Sequence, residues 1–345
     1  MSDVLFEVRG QAGVITLNRP KALNALTHEM AIAIAEQLRA WAGAQDVKHV
    51  IIKAVEGRAF CAGGDIRALY NWGREDQPRA LQFYRDEYTL NALIKRYPKP
   101  FTALIDGIVM GGGVGISLHG RYRIATENIL FAMPETGIGL FPDVGGTYFL
   151  PRMPGEIGLY LGLTGHRLKR DDALFTGVVT HAVAHDQLAD IFEQLCAAAD
   201  PVDVLSSLTR KPEKPALAAA KEEIDSHFER RSLDGVMQSL SSSSSDFAEK
   251  TRETLATKSP TSLAVTFQQL RRGRDLHFED CMELEFSIVS EVLKQRDFFE
   301  GIRAIIIDKD NAPNWTPNAL EAVTDEMVAR YFERTDTPLA LPKAA

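Results

Sequence analysis

The sequence predicts an α/β fold followed by a mainly helical region. Over the first half of the chain, short apolar runs typical of buried strands alternate with segments of helical spacing. Beyond Asp186 the strand-like runs stop and helical spacing dominates. With 345 residues, 45% of them hydrophobic, the chain can bury a large core. We therefore expect an α/β core over residues 1–200, carrying the active site, and a mainly helical C-terminal region over residues 201–345.

Local patterns predict the individual elements in chain order. Apolar or alternating runs predict strands at residues 4–8, 14–18, 47–55, 101–105, 122–125 and 129–132. Helical spacing predicts helices at residues 25–41, 80–94 and 114–118. Thr27 is the expected N-cap of the first helix, with Glu29 in its first turn. Five consecutive serines at 241–245 predict a mobile, solvated loop.

Composition excludes several classes of partner. The net charge of −8 argues against nucleic acid, because binding a phosphate backbone requires clustered Lys and Arg. No apolar run approaches the roughly 20 residues of a membrane span, so we expect no membrane partner. Neither an apolar signal core nor an Arg-rich transit segment precedes the first strand-like run. From this we expect a cytoplasmic protein.

The three cysteines predict neither a metal site nor a disulfide. Cys61, Cys196 and Cys281 lie far apart and lack zinc-ligand spacing. Cys61 adjoins a glycine pair and is therefore a candidate nucleophile, but no His lies near it in sequence. We interpret it as a packing residue.

Two glycine-rich junctions between strand-like and helical segments are the candidate functional sites. Gly112 is the middle of three glycines that end an apolar run, and Gly64 belongs to a glycine pair after the run at 47–55. Glycine lets a ligand approach the backbone, and amide groups at a helix start favour negative charge. Either junction alone is also explained as a tight turn. Together they favour an oxyanion site, which takes two donors from separate segments.

Four motifs carry a family resemblance that extends from about residue 4 to residue 331. They are KALNALT at 21–27, AFCAGGDI at 59–66, the glycines at 111–113 and PETGIGLFPDVGG at 134–146. In this order and spacing they resemble the crotonase, or enoyl-CoA hydratase/isomerase, superfamily. More narrowly, the chain resembles the 3-hydroxyisobutyryl-CoA hydrolases, also through the segments at 259–263 and 297–304. The resemblance implies a crotonase-like ββα spiral core with a helical C-terminal region.

The resemblance also implies a set of catalytic residues. The amides of Gly64 and Gly112 would hold the thioester carbonyl of an acyl-CoA. Glu135 corresponds to one of the two Glu residues of a hydratase, while the position of the other is Gly115. This departure argues against addition of water to an enoyl double bond. Asp143, eight residues after Glu135, resembles the second acid of the hydrolase branch.

Further positions in the motifs are implied to contact the substrate. Glu87 matches a substrate-contacting Glu of the hydrolase branch, although a helical Glu flanked by Arg85 and Asp86 is also ordinary. The remaining predicted substrate-binding residues are Lys21, Leu23, Ala62, Asp65, Ile66 and Arg67. Arg19, Lys21 and Arg67 are candidates for contacts with the phosphates of coenzyme A.

The function implied by the resemblance is hydrolysis of 3-hydroxyisobutyryl-CoA, a step of valine catabolism, with 3-hydroxypropionyl-CoA as a further substrate. Glu135 would act as nucleophile or general base, and Asp143 would orient the substrate hydroxyl or water. The alternatives are an enoyl-CoA isomerase that uses Glu135 alone, an enoyl-CoA hydratase, and a non-catalytic acyl-CoA-binding protein. We expect no cofactor, since coenzyme A is part of the substrate. A trimer-based homo-oligomer is a further expectation.

Overall fold

The computed structural model describes residues 2–208 and 211–341. The chain divides into two compact units, each built from separate stretches of sequence. The first unit comprises Met1–Asp65, Asp86–Ala132 and Arg167–Ala218. The second unit comprises Ile66–Arg85, Met133–His166 and Ala219–Ala345. The domain boundary expected at residue 200 stays a prediction.

The described strands belong to the first unit. They are β1 (Val4–Arg9), β2 (Ala12–Leu17), β3 (His49–Ala54), β4 (Ala59–Cys61), β5 (Phe101–Ile105), β6 (Ile108–Met110), β7 (Tyr122–Ala125), β8 (Leu130–Ala132) and β9 (His181–Ala182). One sheet has the order β1-β2-β3-β5-β7-β9, and a smaller sheet has the order β4-β6-β8. β1 is antiparallel to β2, and the other pairings are parallel.

Helices make up most of the remaining described structure. They are α1 (His28–Gly43), α2 (Ile66–Glu75), α3 (Gln77–Lys95), α4 (Gly112–Gly115), α5 (Gly146–Phe149), α6 (Ile157–Thr164), α7 (Arg170–Phe175), α8 (Leu188–Ala197), α9 (Val202–Leu205), α10 (Ala216–Phe228), α11 (Leu233–Ser241), α12 (Asp246–Ala256), α13 (Pro260–Gly273), α14 (Phe278–Val292), α15 (Arg296–Ile302) and α16 (Asp325–Arg330). Beyond β9 the described residues form helices and turns, as predicted for the C-terminal region.

Successive strand pairs contribute one strand to each sheet. The pairs β3/β4, β5/β6 and β7/β8 all follow this pattern. Between β5 and β6 the chain turns at Gly107, whose φ is +88° and whose missing Cβ would lie 2.5 Å from the carbonyl oxygen of Arg58. Glycine is therefore required there. This ββα repeat agrees with the spiral expected from the family resemblance, and it splits the apolar run before the three glycines into two strands.

The helix α1 begins three residues later than predicted, although its cap is confirmed. Thr27 Oγ1 accepts a hydrogen bond from the Met30 amide at 3.2 Å. The preceding residues instead run alongside the first glycine motif, with the Leu26 amide donating to the Gly63 carbonyl and the Ala62 amide donating to the Leu23 carbonyl. Tertiary pairing therefore overrides the helical spacing of this stretch.

The serine run forms the connection between α11 and α12. Ser241 is the last residue of α11, and Ser245 is the N-cap of α12, where its hydroxyl accepts a hydrogen bond from the Ala248 amide at 3.1 Å. The structure thus gives this segment a capping role that the predicted solvated loop did not include.

Candidate active site

The two glycine-rich junctions aim backbone amides away from the elements that carry them. In the parallel bridge between Leu26 and Gly64, the bonded groups are the Gly63 carbonyl and the Asp65 amide. The N–H of Gly64 therefore points to the opposite side of its strand. Gly112 is the first residue of α4, so its N–H has no acceptor within the helix. Both amides are thus oriented as donors for a ligand.

The two junctions meet in the first unit, as the sequence predicts. A Cβ built on Gly112 would lie 3.2 Å from the Gly64 nitrogen and 2.5 Å from Glu87 Oε1. Only glycine leaves this space open at residue 112. The geometry brings two amides and one carboxyl group around a small gap, and the oxyanion hole at this place stays a prediction.

Close backbone packing explains the glycine after Gly112. A Cβ on Gly113 would lie 2.2 Å from the Cys61 carbonyl oxygen, so α4 packs directly against the end of β4. Cys61 itself is fully buried, and its thiol lies 3.5 Å from the Gly63 carbonyl oxygen. Burial raises the pKa of Cys61 to about 12, which keeps the thiol protonated. These observations agree with its interpretation as a packing residue.

Glu87 lies in the interior, although its sequence neighbours look like surface charges. Its side chain on α3 is 2% exposed and approaches the gap beside Gly112. The preceding Asp86 is less buried, and its Oδ2 lies 2.6 Å from Nε2 of His28. Residue 87 therefore does not lie on a solvated helix face. Its position agrees with the substrate contact implied by the resemblance.

Three of the other predicted substrate-binding residues lie together in the first unit. Leu23 and Ala62 are joined by a backbone hydrogen bond of 3.0 Å, and the Asp65 amide donates to Leu26. The Asp65 carboxylate is paired with Arg19 at 2.8 Å. Arg19 also donates to the Ala25 carbonyl, so its role is to fix this loop. Arg19 also stays a prediction for a contact with the coenzyme A phosphates.

The remaining predicted contacts are distributed between the units. Lys21 is exposed on the short 3₁₀ turn Pro20–Ala22 of the first unit. Ile66 and Arg67 begin α2 in the second unit. Arg67 is exposed and donates to the Ile306 carbonyl at 3.2 Å. Lys21 and Arg67 stay predictions for phosphate contacts.

Glu135 and Asp143 are buried in the second unit. Each is 4% exposed, and Glu135 is the first residue of a 3₁₀ turn that ends at Ile138. Among the described residues, no side chain or backbone group forms a hydrogen bond with Glu135 Oε2. Burial first, and then the negative charge of Asp143, raise the pKa of Glu135 well above its usual value. This agrees with the expectation for two carboxyl groups enclosed together.

The C-terminal helices hold the turn that carries Glu135. Gly139 has φ +72°, and a Cβ there would lie 2.2 Å from the Asp297 carbonyl oxygen. A Cβ on Gly301 of α15 would lie 2.4 Å from the Ile138 carbonyl carbon. The Ser259 amide donates to the Thr136 carbonyl at 3.1 Å. The segments at 259–263 and 297–304 therefore contribute directly to the placement of Glu135.

Two buried side chains that hold the turn around Asp143 have no signal in the sequence. Glu285 on α14 and Gln269 on α13 are both fully buried and form hydrogen bonds with the turn at 142–147. More than 120 residues separate Gln269 from its partner Thr147, and no motif connects them.

In the described part of the chain no cluster of His, Cys, Asp and Glu could hold a metal ion. Within that same part, no helix has both the length and the apolar character needed to cross a membrane.

The fold and the paired amides define a member of an acyl-CoA enzyme family. The model of the enoyl-CoA hydratase/isomerase family matches residues 12–332, and the chain belongs to this family. It is 47% identical to a Xenopus tropicalis protein named 3-hydroxyisobutyryl-CoA hydrolase, mitochondrial, over 96% of this chain and 88% of the relative. The human protein of the same name is 42% identical over the same shares of the two chains.

Solved structures confirm the predicted fold class. A carnitinyl-CoA dehydratase from Mycobacterium thermoresistibile is 39% identical, with a TM-score of 0.94 over 99% of both chains. An enoyl-CoA hydratase from Rhodobacter sphaeroides 2.4.1 is 40% identical, with a TM-score of 0.91 over 96% of this chain and 98% of the other. The α/β spiral core with a helical C-terminal region is therefore shared with these proteins.

The names of the relatives contradict the expected cytoplasmic location. The curated relatives at 42–47% identity are named as mitochondrial proteins. Our expectation came from the residues before the first strand, and it was wrong because that short stretch does not determine where a protein works.

Proposed function

We propose that this protein hydrolyses the thioester of 3-hydroxyisobutyryl-CoA to 3-hydroxyisobutyrate and free coenzyme A, a step of valine catabolism. Relatives with this activity in their names support the proposal along nearly the whole chain. The observation that carries it is the buried Glu135 carboxyl group, which has an unpartnered oxygen and a pKa raised by burial and by Asp143. Such a group suits acid–base or nucleophilic chemistry.

The oxyanion hole supplies the first part of the proposed mechanism. The amides of Gly64 and Gly112 donate to the thioester oxygen and stabilise the alkoxide of the tetrahedral intermediate. Each well-aimed donor contributes roughly 3–4 kcal/mol in comparable sites. This stabilisation is needed for either route of attack on the carbonyl carbon.

Glu135 supplies the attacking oxygen in the route we favour. Glu135 first loses its proton to water, and its ionised carboxylate attacks the carbonyl carbon. The C–S bond then breaks, and the coenzyme A sulfur takes a proton from water as it departs. The resulting mixed anhydride is then cleaved by water, which restores the carboxyl group. In the second route, Glu135 removes a proton from water and the water attacks directly. Both routes consume one water and release one thiol and one acid.

Asp143 and Glu87 position the acyl group in this proposal. Asp143 accepts a hydrogen bond from the 3-hydroxyl group or orients the hydrolytic water, and Glu87 supplies a further polar contact beside the oxyanion hole. No cofactor is required, because coenzyme A arrives with the substrate. A pocket that distinguishes acyl groups by one methyl gains only about 1–3 kcal/mol, so 3-hydroxypropionyl-CoA is a second substrate. A trimer-based homo-oligomer is part of the proposal.

Enoyl-CoA hydration is the competing function, and the names of the two solved structures favour it. Hydration in this family uses two Glu residues, and the second position is occupied by Gly115 at the end of α4. Without a side chain at this position, only Glu135 is left to position the water. We therefore rank hydrolysis above hydration. An isomerase would use Glu135 without Asp143.

A panel of thioesters separates these functions. Purified protein is mixed with 3-hydroxyisobutyryl-CoA, 3-hydroxypropionyl-CoA, crotonyl-CoA or a 3-enoyl-CoA, while thiol release and enoyl absorbance are recorded together. We expect thiol release from the two hydroxyacyl substrates and little change in enoyl absorbance. Loss of crotonyl absorbance without thiol release would establish a hydratase instead. For an isomerase, Asp143→Asn would leave turnover nearly intact, whereas hydrolysis should fall by orders of magnitude. No turnover of any thioester would favour a binding protein.

A further inference from the structure

The turn that carries Asp143 has a backbone conformation that needs outside support. We call residues 142–147 the Asp143 turn. Val144 has φ +49° and Gly145 has φ +93°, and positive φ is strained for a β-branched residue such as Val144. Within the turn, the Gly146 amide donates to the Asp143 carbonyl at 2.8 Å. This hydrogen bond and a strained residue do not by themselves fix the direction of a side chain.

Glu285 bridges two amides of the Asp143 turn. Its Oε2 accepts from the Gly145 amide at 2.8 Å, and its Oε1 accepts from the Thr147 amide at 2.9 Å. The side chain is fully buried on α14. Both amides would otherwise be buried without a partner, which costs free energy comparable to a lost hydrogen bond. The carboxylate therefore fixes the backbone on the C-terminal side of Asp143.

Gln269 holds the same turn from a different helix. Its Nε2 donates to the Pro142 carbonyl and to Thr147 Oγ1, both at 2.7 Å. Pro142 precedes Asp143 directly, so the backbone is fixed on the N-terminal side as well. A Cβ on Gly273 would lie 2.1 Å from the Thr147 carbonyl oxygen, which shows how closely α13 packs against the turn. Two helices thus fix both sides of one carboxylate-bearing residue.

The three carboxyl groups are also electrostatically linked. Burial raises the pKa of Glu285 to about 8, and the charge of Asp143 adds to this effect, against the hydrogen bonds from Gly145 and Thr147. The same Asp143 charge raises the pKa of Glu135. Asp143 therefore lies close enough to both Glu135 and Glu285 to raise their pKa values.

We propose that Glu285 is a positioning residue for Asp143, because it bridges the Gly145 and Thr147 amides and so sets the direction of the Asp143 carboxylate. This inference rests on the proposed function, in which Asp143 orients the substrate hydroxyl or water. Glu285 does not touch the substrate. It acts on turnover through the geometry of the turn, and Gln269 supports it from α13.

The variant Glu285→Gln tests this role with little change in volume. Glutamine keeps one acceptor oxygen but places an NH₂ group against the second backbone amide. We expect kcat to fall about 10- to 100-fold while KM changes less than about twofold, since a small misplacement of a catalytic group costs on this order. Steady-state thiol release measures both parameters.

Asp172→Asn is the matched control. Asp172 is a buried carboxylate of the first unit that accepts a hydrogen bond from the Leu217 amide at 2.8 Å. The chemical change is the same, but Asn can keep its oxygen on the single Leu217 amide, so thermal stability should fall less than in Glu285→Gln. We expect kcat to fall only in Glu285→Gln. An equal effect of the two variants on kcat would overturn the proposal, because loss of stability alone would then explain it.

A double-mutant cycle with Asp143→Asn identifies the route of the effect. If Glu285 acts through Asp143, the double variant should be no more than about threefold slower than Asp143→Asn alone. If the fall in kcat of the double variant equalled the product of the falls in the two single variants, the proposal would be overturned. Gln269→Met gives a second cycle with the same expected pattern, should Glu285→Gln not fold. Each cycle uses whichever thioester the wild-type protein consumes, so failure of the proposed function appears separately in the substrate panel.

Discussion

At the scale of single residues, the burial of Glu135 is the feature most closely tied to chemistry. Transfer of an ionised carboxylate from water into an apolar interior is unfavourable unless the charge is paired. Glu135 is almost fully buried, and Asp143 adds a like charge to its surroundings. The resting protein therefore favours a protonated acid at this position. This proton must leave before Glu135 attacks, and its loss produces a poorly solvated, reactive carboxylate.

Glu135→Gln should separate activity from stability. Because the pKa of Glu135 is raised in the folded state, its stabilising effect is present at low pH and is lost as the pH rises through the folded-state pKa. Glutamine cannot ionise, so the variant does not lose this stability as the pH rises. Its melting temperature should therefore exceed that of the wild type at pH 8, and the difference in melting temperature should shrink towards pH 4. We expect about 2–4 °C for each kcal/mol gained. Thermal scans over this pH range provide the measurement.

Turnover should change in the opposite direction. Thiol release by Glu135→Gln should fall by about 1,000-fold or more, since the amide can neither attack the carbonyl carbon nor accept a proton from water. A folded variant that keeps most of its turnover would exclude Glu135 from both proposed routes.

The sequence identified the candidate site residues that lie in motifs and missed the buried side chains that hold the Asp143 turn. Gly64, Gly112 and Glu135 occur in short segments whose glycine and proline content indicates a functional turn. Glu285 resembles any other Glu on an amphipathic helix, and only the fold brings it to the Asp143 turn. For the same reason the ion pair between Arg19 and the distant Asp65 carboxylate is not visible in the sequence.

At the scale of elements, most apolar runs were predicted as strands, but two strands beside the glycine junctions were missed. Strands β5 and β7 have the predicted bounds. Strands β4 and β6 span three residues each, too few to show a period of two, and they were not predicted as separate strands. Their pairing in the smaller sheet places the two glycine junctions side by side. Elements without a clear local pattern thus determine the geometry of the oxyanion hole.

The contact between α15 and the Glu135 turn predicts the effect of a helical substitution. In Gly301→Ala the new Cβ would lie 2.4 Å from the Ile138 carbonyl carbon, so the turn must move. We expect a loss of thermal stability together with a fall in kcat of about 10-fold or more.

Gly43→Ala is the control for this substitution. Gly43 ends α1, and a Cβ there meets no heavy atom within 4 Å. Alanine should be neutral or stabilising by up to about 1 kcal/mol, and turnover should be unchanged. If Gly301→Ala behaved like Gly43→Ala in melting and kinetic measurements, α15 would have no part in placing Glu135.

At the scale of the whole molecule, the candidate catalytic residues come from segments that alternate along the chain. The first unit contains the two amides and Glu87, and the second unit contains Glu135, Asp143 and their supporting helices. Periodicity alone predicted only an α/β protein, and the family resemblance was needed to predict the spiral. Fold does not decide the reaction, because structures with this fold are named for dehydration and hydration. In the proposed function, the residue at 115 and the acids at 135 and 143 make the distinction between hydration and hydrolysis.

The most direct test of the account is thiol release from 3-hydroxyisobutyryl-CoA by Gly112→Ala, compared with Gly57→Ala. A Cβ at residue 112 would fill the gap beside the Gly64 nitrogen and Glu87, whereas a Cβ at residue 57 meets its nearest atoms only at 3.8 Å. We expect kcat/KM to fall by about 100-fold or more in the first variant and to stay at the wild-type value in the second. A folded Gly112→Ala protein with undiminished thiol release would show that the thioester is not activated between these two amides.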